Sequence, residues 1–260
     1  MTKTILITGA TDGIGLVTAK LLAQQGQTVL LHGRNEAKLA AAAQEVGGTT
    51  ATYLADLSRL DDVETLASKI LADYATLDVL INNAGVLKTP VTQAPSGRDI
   101  RFEVNTIAPY LLTRRLLPII PQHGRIVNLS SAAQAPVDLA ALSGQRRMDD
   151  MDAYAQSKLA IVIWSKALAD ELPDGPAVIS VNPGSLLASK MVKEGFGIAG
   201  SDLRIGADIL IQAALSEEFS EASGLYFDND SGRFAQPNSA ALDPAQIATV
   251  MNSIKDIVGD

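Results

Sequence analysis

The chain has 260 residues, near the upper size for one hydrophobic core, and 47% of them are apolar. A net charge of −8 counts against a nucleic-acid surface, which needs clustered Lys and Arg to meet phosphates. The absence of cysteine excludes disulfides, thiolate metal sites and cysteine nucleophiles, and two histidines, His32 and His123, are too few for a multi-histidine metal centre, so no metal is expected.

Strand and helix patterns alternate from the start. Thr4–Ile7 predicts a strand and Gly15–Gln25 a helix. Thr28–Leu31 follows as a strand, then a helix from Asn35, a good N-cap, to Val46, with Gly47-Gly48 as its stop. Thr50–Leu54 is the third strand. Ser58 is expected to cap a helix reaching Tyr74, and Leu77–Ile81 is the fourth strand. Farther on come a long helix over Arg98–Ile120, a strand over Arg125–Leu129, a helix over Asp152–Leu172 and a strand over Ala177–Val181. Leu203–Leu215 (helix), Leu225–Phe227 (strand) and Ala245–Ile257 (helix) complete the series. This βαβ order with short connections implies an α/β fold: one doubly wound parallel sheet, Rossmann-like, with helices on both faces of a single domain spanning 1–260. No window approaches the roughly 20 apolar residues of a membrane span, and no basic-then-apolar leader opens the chain; a soluble, cytoplasmic protein with no membrane partner is expected.

The turn Thr8-Gly9-Ala10-Thr11-Asp12-Gly13-Ile14-Gly15 lies between the first strand and the first helix. Amides at a helix start face outward and glycines allow close backbone approach, so a dinucleotide pyrophosphate fits there. An acidic Asp12 beside phosphates is electrostatically unfavourable. At the end of the second strand, Leu31-His32-Gly33-Arg34-Asn35 carries no carboxylate to hold a ribose 2′-hydroxyl, whereas Arg34 offers a planar fork of donors to a 2′-phosphate. NADP(H) is therefore the expected cofactor, with NAD(H) the alternative.

Tyr154 and Lys158 in Ala153-Tyr154-Ala155-Gln156-Ser157-Lys158 are four apart on a helix and share a face. A phenol with an ordinary pKa near 10 becomes a more useful proton-transfer group when an ammonium favours its ionised form.

Taken together, the TGxxxGIG turn, Asn82-Asn83-Ala84-Gly85 and the Tyr154/Lys158 pair make the chain resemble the short-chain dehydrogenase/reductase family from Thr4 to about Gly184. The resemblance implies that Gly9, Thr11, Asp12, Gly13 and Ile14 hold the diphosphate. It also implies that Arg34 and Asn35 lie by the adenosine ribose, Asp56 and Leu57 near adenine, and Asn83, Ala84 and Gly85 along the cofactor. Tyr154 would transfer the proton and Lys158 would lower its pKa and bind the nicotinamide ribose. In Arg125-Ile126-Val127-Asn128-Leu129-Ser130-Ser131, the strand-end alignment favours Ser131 over Ser130 as the hydroxyl that stabilises a developing alkoxide. Asn105 matches the asparagine of the family's water-linked proton relay. Pro183 and Gly184 match the turn beside the nicotinamide. Relatives carry a threonine four residues after that glycine; here the position is Ala188, with Ser189 a candidate replacement.

The segment 132–153 is an extended loop before the catalytic helix, a feature similar to the retinol dehydrogenase and protochlorophyllide reductase branch, whose members act on apolar carbonyls or alcohols. Residues 186–200, with Gly195, Gly197 and Gly200, read either as a mobile substrate lid or as a rigid surface helix with glycine ends. The expected activity is hydride transfer between nicotinamide and a small to medium apolar carbonyl or alcohol. A catalytically idle dinucleotide sensor is the alternative, and an epimerase or dehydratase on a related fold a third. The resemblance also implies a homo-oligomer, a dimer or tetramer, with the terminal helix a candidate for packing on a neighbouring subunit.

Overall fold

The short aliphatic runs all become strands of one sheet. In the computed structural model, which describes residues 2–260 apart from Ser189, Lys190, Val192, Glu194, Phe196 and Ile198, they are β1 (Thr4–Ile7), β2 (Thr28–Gly33), β3 (Thr50–Leu54), β4 (Val79–Asn82), β5 (Arg125–Leu129), β6 (Ala177–Asn182), β7 (Tyr226–Asp228) and β8 (Arg233–Ala235). Their order is β3-β2-β1-β4-β5-β6-β7-β8. β1 to β7 pair in parallel, and β8, which the sequence did not reveal, closes the edge as an antiparallel hairpin partner of β7.

Alternation along each strand serves two separate cores. Ile5, Ile7, Val29, Leu31, Val79, Ile81, Val127 and Ile179 face α1 (Gly13–Gln24), α2 (Glu36–Val46) and α8 (Leu203–Leu215). Leu6, Leu30, Leu80, Ile126 and Val178 face the opposite layer, which contains α3 (Leu60–Asp73), α5 (Ala108–Leu116) and α7 (Asp150–Glu171). Each fully buried aliphatic side chain contributes roughly 1.5–3 kcal/mol. A one-residue slip of any strand would exchange its two faces, so the register is strongly held.

Several element bounds differ from the sequence reading, three of them for a visible local reason. Ser58 does not cap α3. The N-cap position is Arg59, without a side-chain bond, because Asp56 accepts the Ser58 N–H at 3.0 Å and so forms the turn one step earlier. The long helix expected over 98–120 is broken: α4 (Ile100–Phe102) passes through a π turn (Glu103–Ile107) into α5, then a 3₁₀ turn (Leu117–Ile119). Pro109 lacks the N–H that an α-helix would direct to the Asn105 carbonyl, and the helix widens there into the π register. Helix α7 starts earlier than expected because Asp149 caps it, accepting from the Met151 and Asp152 amides.

The terminal helix α9 (Pro244–Val258) lies on its own chain rather than presenting its apolar face outward. Val250, Met251 and Ile254 are buried in the core that includes α7, Tyr110 donates its hydroxyl to Asp260 at 2.9 Å, and Lys255 pairs with Glu171 at 2.7 Å. Within the extended loop 132–153, a short helix, α6 (Leu139–Leu142), buries Ala141 and Leu142, and Gln156 of α7 accepts the Asp138 amide at 2.8 Å. The loop is docked on the body of the domain. No helix among the described residues is long and apolar enough to cross a membrane.

Candidate active site

The strand order reverses between β1 and β4, and the crevice beyond their carboxyl ends is where an open α/β sheet receives a ligand. The glycine turn fills this place. Gly9 has φ +66, and a Cβ on it would come within 2.9 Å of Ala84 Cα; a Cβ on Gly15 would come within 2.4 Å of the Gly9 carbonyl. Only glycines let the turn lie this close to the end of β4. Asn83 fastens the two, donating from Nδ2 to the Thr8 and Gly9 carbonyls at 2.8 and 3.1 Å, while Thr8 Oγ1 accepts the Asn83 and Ala84 amides. Asn82 donates to Asn128 Oδ1 at 2.8 Å and so links β4 to β5. The paired asparagines thus tie neighbouring strand ends together. Thr8 and Asn128 are parts of the frame that sequence reading missed.

The turn leaves a helix start open to an anion, with one obstacle. Asp12 is the N-cap of α1 and accepts the Gly13 amide at 2.7 Å, which puts a negative charge at the helix start. Asp12→Ser keeps an N-cap and removes the charge; it is expected to tighten NADPH binding roughly threefold to tenfold. Equal affinities in a titration would show that Asp12 turns away from the ligand.

On the adenosine side, Arg34 is exposed at the end of β2, and no ion pair of the described residues involves it. Asn35, expected at the ribose, spends its side-chain oxygen on capping α2, accepting from the Lys38 amide at 2.9 Å. Asp56 Oδ1 is engaged in its local turn, and the Leu57 side chain is buried in the core, so Leu57 can offer a ligand only its backbone. Gly33 is held tight: a Cβ there would come within 2.5 Å of Thr11 Cγ2.

His32, on β2, braces this half of the site. Its Nδ1 accepts the Gly9 amide at 3.2 Å and its Nε2 lies 3.1 Å from the Ala55 carbonyl, an arrangement that suits the neutral ring with the proton on Nε2. Burial lowers its pKa to about 4. The unfolded chain, with an ordinary value near 6.5, therefore binds the proton first, and stability is lost as pH falls from about 6.5 to about 4, by roughly 3 kcal/mol in all. In urea unfolding at pH 7 and pH 4.5, His32→Asn is expected to lose less stability on acidification than the parent. An identical loss would remove His32 from this role.

The residues expected to be catalytic lie after β5 (Ser131), in the π turn (Asn105) and in the first turns of α7 (Tyr154 and Lys158). Tyr154 is half-buried and shares the wall of a cavity of about 320 Å³ with Ser131, Pro183 and Gly184. The neighbouring Ser131 hydroxyl favours the ionised phenol, but burial outweighs this and pushes the Tyr154 pKa above its ordinary value. Ser130, by contrast, is buried and donates to the Lys158 carbonyl at 2.8 Å, so of the two serines it is Ser131 that faces the phenol. Lys158 is buried with Nζ 5.6 Å from the Tyr154 ring centroid and donates to the Leu129 carbonyl at 2.7 Å; burial lowers its pKa to about 8. Lowering of the tyrosine pKa by this lysine was the sequence expectation, yet within the protein scaffold burial sets the direction.

Asn105 sits in the π turn. It accepts the Val86 amide at 2.8 Å and donates to the Val86 carbonyl and to Ser157 Oγ, both at 3.0 Å. Ser157 donates in turn to the Tyr154 carbonyl at 2.7 Å. Gly85 lies alongside: a Cβ on it would be 3.4 Å from both Asn105 Oδ1 and Lys158 Nζ. Asn105 thus joins Val86, next to Gly85, to helix α7. Ser157 is a link that the sequence did not single out.

Ile14 and Leu87 also line the cavity, together with Leu186, Leu187 and Met191 of the segment read as either a lid or a surface helix. The root of that segment is pinned, with Ala188 donating to the Ser201 carbonyl at 2.6 Å and Ser201 to the Leu186 carbonyl at 2.8 Å. Gly200, φ +77, is required at this root, since a Cβ would come within 2.7 Å of Ala188. Ser189, the candidate replacement for the missing threonine, lies outside the described residues.

Comparison with known proteins agrees with this geometry. A family model for short chain dehydrogenases matches residues 3–196. Human retinol dehydrogenase 13 is 34% identical over 251 residues, covering 87% of this chain and 76% of that protein. An uncharacterised protein from Mycobacterium paratuberculosis superposes with a TM-score of 0.83 at 28% identity, over 99% of this chain and 93% of its own. A Shigella flexneri short chain dehydrogenase complexed with NADP gives 0.70 at 30% identity, covering 87% of this chain and 96% of its own. The 3-ketoacyl-(acyl-carrier-protein) reductase of Brucella melitensis complexed with NADH also gives 0.70, at 26% identity, over 89% and 98%. With a glycine turn at the sheet's switch point, a serine facing a tyrosine, and similarity running through most of its length, the chain belongs to the short-chain dehydrogenase family of oxidoreductases, with retinol dehydrogenases among its relatives.

Proposed function

We propose that this protein is an NADP(H)-dependent oxidoreductase that interconverts a carbonyl and an alcohol on a small to medium apolar substrate. The observation that carries this reading is the placement of Tyr154 and Ser131 on one wall of an apolar cavity, with Lys158 and Asn105 behind them. The glycine turn and the Arg34 corner fit a dinucleotide phosphate in shape and in donors.

When bound, the cofactor supplies or accepts the hydride. The chain does the rest. Ser131 Oγ donates to the substrate oxygen and stabilises the negative charge that develops on it. Tyr154 Oη, kept protonated by burial, delivers its proton to that oxygen in the reductive direction and takes it back in the oxidative one. Lys158, charged below pH of about 8, holds a cation against the ring where phenolate charge appears, and its contact with the Leu129 carbonyl anchors it. Asn105 keeps the catalytic helix in place through Ser157. Leu87, Met151, Leu186, Leu187 and Met191 offer the substrate no charged partner and exclude water from the reacting centre.

The test is NADPH consumption with a panel of aliphatic and aromatic aldehydes and ketones, together with the matching alcohols and NADP⁺. Turnover that favours apolar members supports the reading. Cofactor binding without turnover on any of them would leave the idle sensor in its place.

A further inference from the structure

The hairpin between β7 and β8 reaches back over the catalytic end of the sheet. Its three residues Asp228, Asn229 and Asp230 hold the turn that follows β6 at Asn182, Pro183 and Ser185. Asn182 Nδ2 donates to Asp228 Oδ1 and to Asp230 Oδ2, each at 2.8 Å. Asp230 also accepts from Ser185 twice, the amide at 2.8 Å on Oδ1 and the hydroxyl at 2.5 Å on Oδ2. Asn229 donates from Nδ2 to the Pro183 carbonyl at 2.9 Å and to the Ile205 carbonyl at 3.3 Å, and its amide donates to the Asn182 carbonyl at 3.2 Å.

This grip has a visible consequence in the backbone. Leu186, the residue after Ser185, has φ +53, the one positive value at a non-glycine position among the described residues. A left-handed leucine persists only where its surroundings over-determine it. Here Asp230 pins Ser185 on one side, and the Ser201 amide holds the Leu186 carbonyl on the other. The turn is fixed from both ends, and it lines the same cavity as Tyr154. Pro183 and Gly184 line that cavity as well.

We propose that Asn229 and Asp230 are positioning residues that set the turn Asn182–Ser185 against the nicotinamide end of the dinucleotide. The inference rests on the dinucleotide reading above and adds to it two residues that touch neither the ligand nor the reacting atoms. Hydride transfer demands close alignment, and a shift of about 1 Å in a supporting segment lowers turnover on the order of a hundredfold. The adenosine half, at the ends of β1 and β2, is built without the hairpin, so the two halves of the ligand respond differently.

Asp230→Ala, Asp230→Asn and Asn229→Ala would each be titrated with NADPH and with 2′,5′-ADP, which carries the adenosine half alone, and assayed for turnover. The expected result for Asp230→Ala is about tenfold weaker NADPH binding and about tenfold or greater loss of kcat, with 2′,5′-ADP affinity within about twofold of the parent. Asp230→Asn, which keeps one carbonyl oxygen for Ser185, recovers part of both, and Asn229→Ala shows the same split at smaller size. NADPH affinity and kcat within about twofold of the parent in both alanine variants would overturn the inference. So would a parallel loss of 2′,5′-ADP binding, since that marks a merely structural role. A parent chain that binds neither ligand fails one step earlier, at the dinucleotide reading itself.

Discussion

Tyr154→Phe is expected to lower turnover on the order of 10³-fold while leaving NADPH affinity within about twofold of the parent. The substitution removes one oxygen from a ring that stays packed between Ser131 and Lys158, so the cavity and the dinucleotide site keep their shape. What disappears is the group whose proton burial retains. Stopped-flow or steady-state assays at pH 7, paired with a fluorescence titration of NADPH, separate the two quantities. Turnover within tenfold of the parent would mean that another group moves the proton, and the proposed activity would lose its central residue.

Arg34→Ala gives the second large effect, on cofactor choice. Charge-assisted bonds from a guanidinium to a phosphate contribute roughly 1.5–3 kcal/mol, so the preference for NADPH over NADH is expected to fall between about tenfold and a hundredfold, mainly through weaker NADPH binding. NADH kinetics, in which no 2′-phosphate takes part, should stay near the parent values. The prediction has a sharp alternative outcome: equal kcat/KM for the two cofactors in the parent, unchanged by the substitution, would show Arg34 to be an ordinary exposed arginine. Neither β2 nor its following turn supplies a carboxylate for a 2′-hydroxyl before Glu36, so a strict preference for NADH has no partner in this corner of the chain.

The parts of the molecule legible from the chain alone are those written in short-range patterns. Ile5-Leu6-Ile7 before a glycine turn, Val79 to Asn82 before Ala84-Gly85, and Tyr154 four residues from Lys158 are each complete within about ten residues. Their order along the chain was enough for a doubly wound sheet with a dinucleotide site at its switch point, because right-handed βαβ connections leave few alternatives. Element boundaries were less secure where side chains compete with backbone. Asp56 displaced Ser58 from the start of α3, Asp149 moved the start of α7, and Pro109 with the π turn interrupted what reads as one helix.

The tertiary structure decided whatever depends on contacts between distant segments. The strand-end alignment already favoured Ser131 over Ser130, but the physical reason, Ser130 donating to the Lys158 carbonyl, is visible only in the fold. The brace from His32 to Gly9 and Ala55, the lock of Asp230 on Ser185, and the folding of the terminal helix back onto α7 join residues from 23 to 84 positions apart. Periodicity records which face of an element is buried, and motif spacing records which side chains share a turn. Neither records which loop of a neighbouring strand will arrive beside it, since that is set by sheet order and packing once the chain has closed.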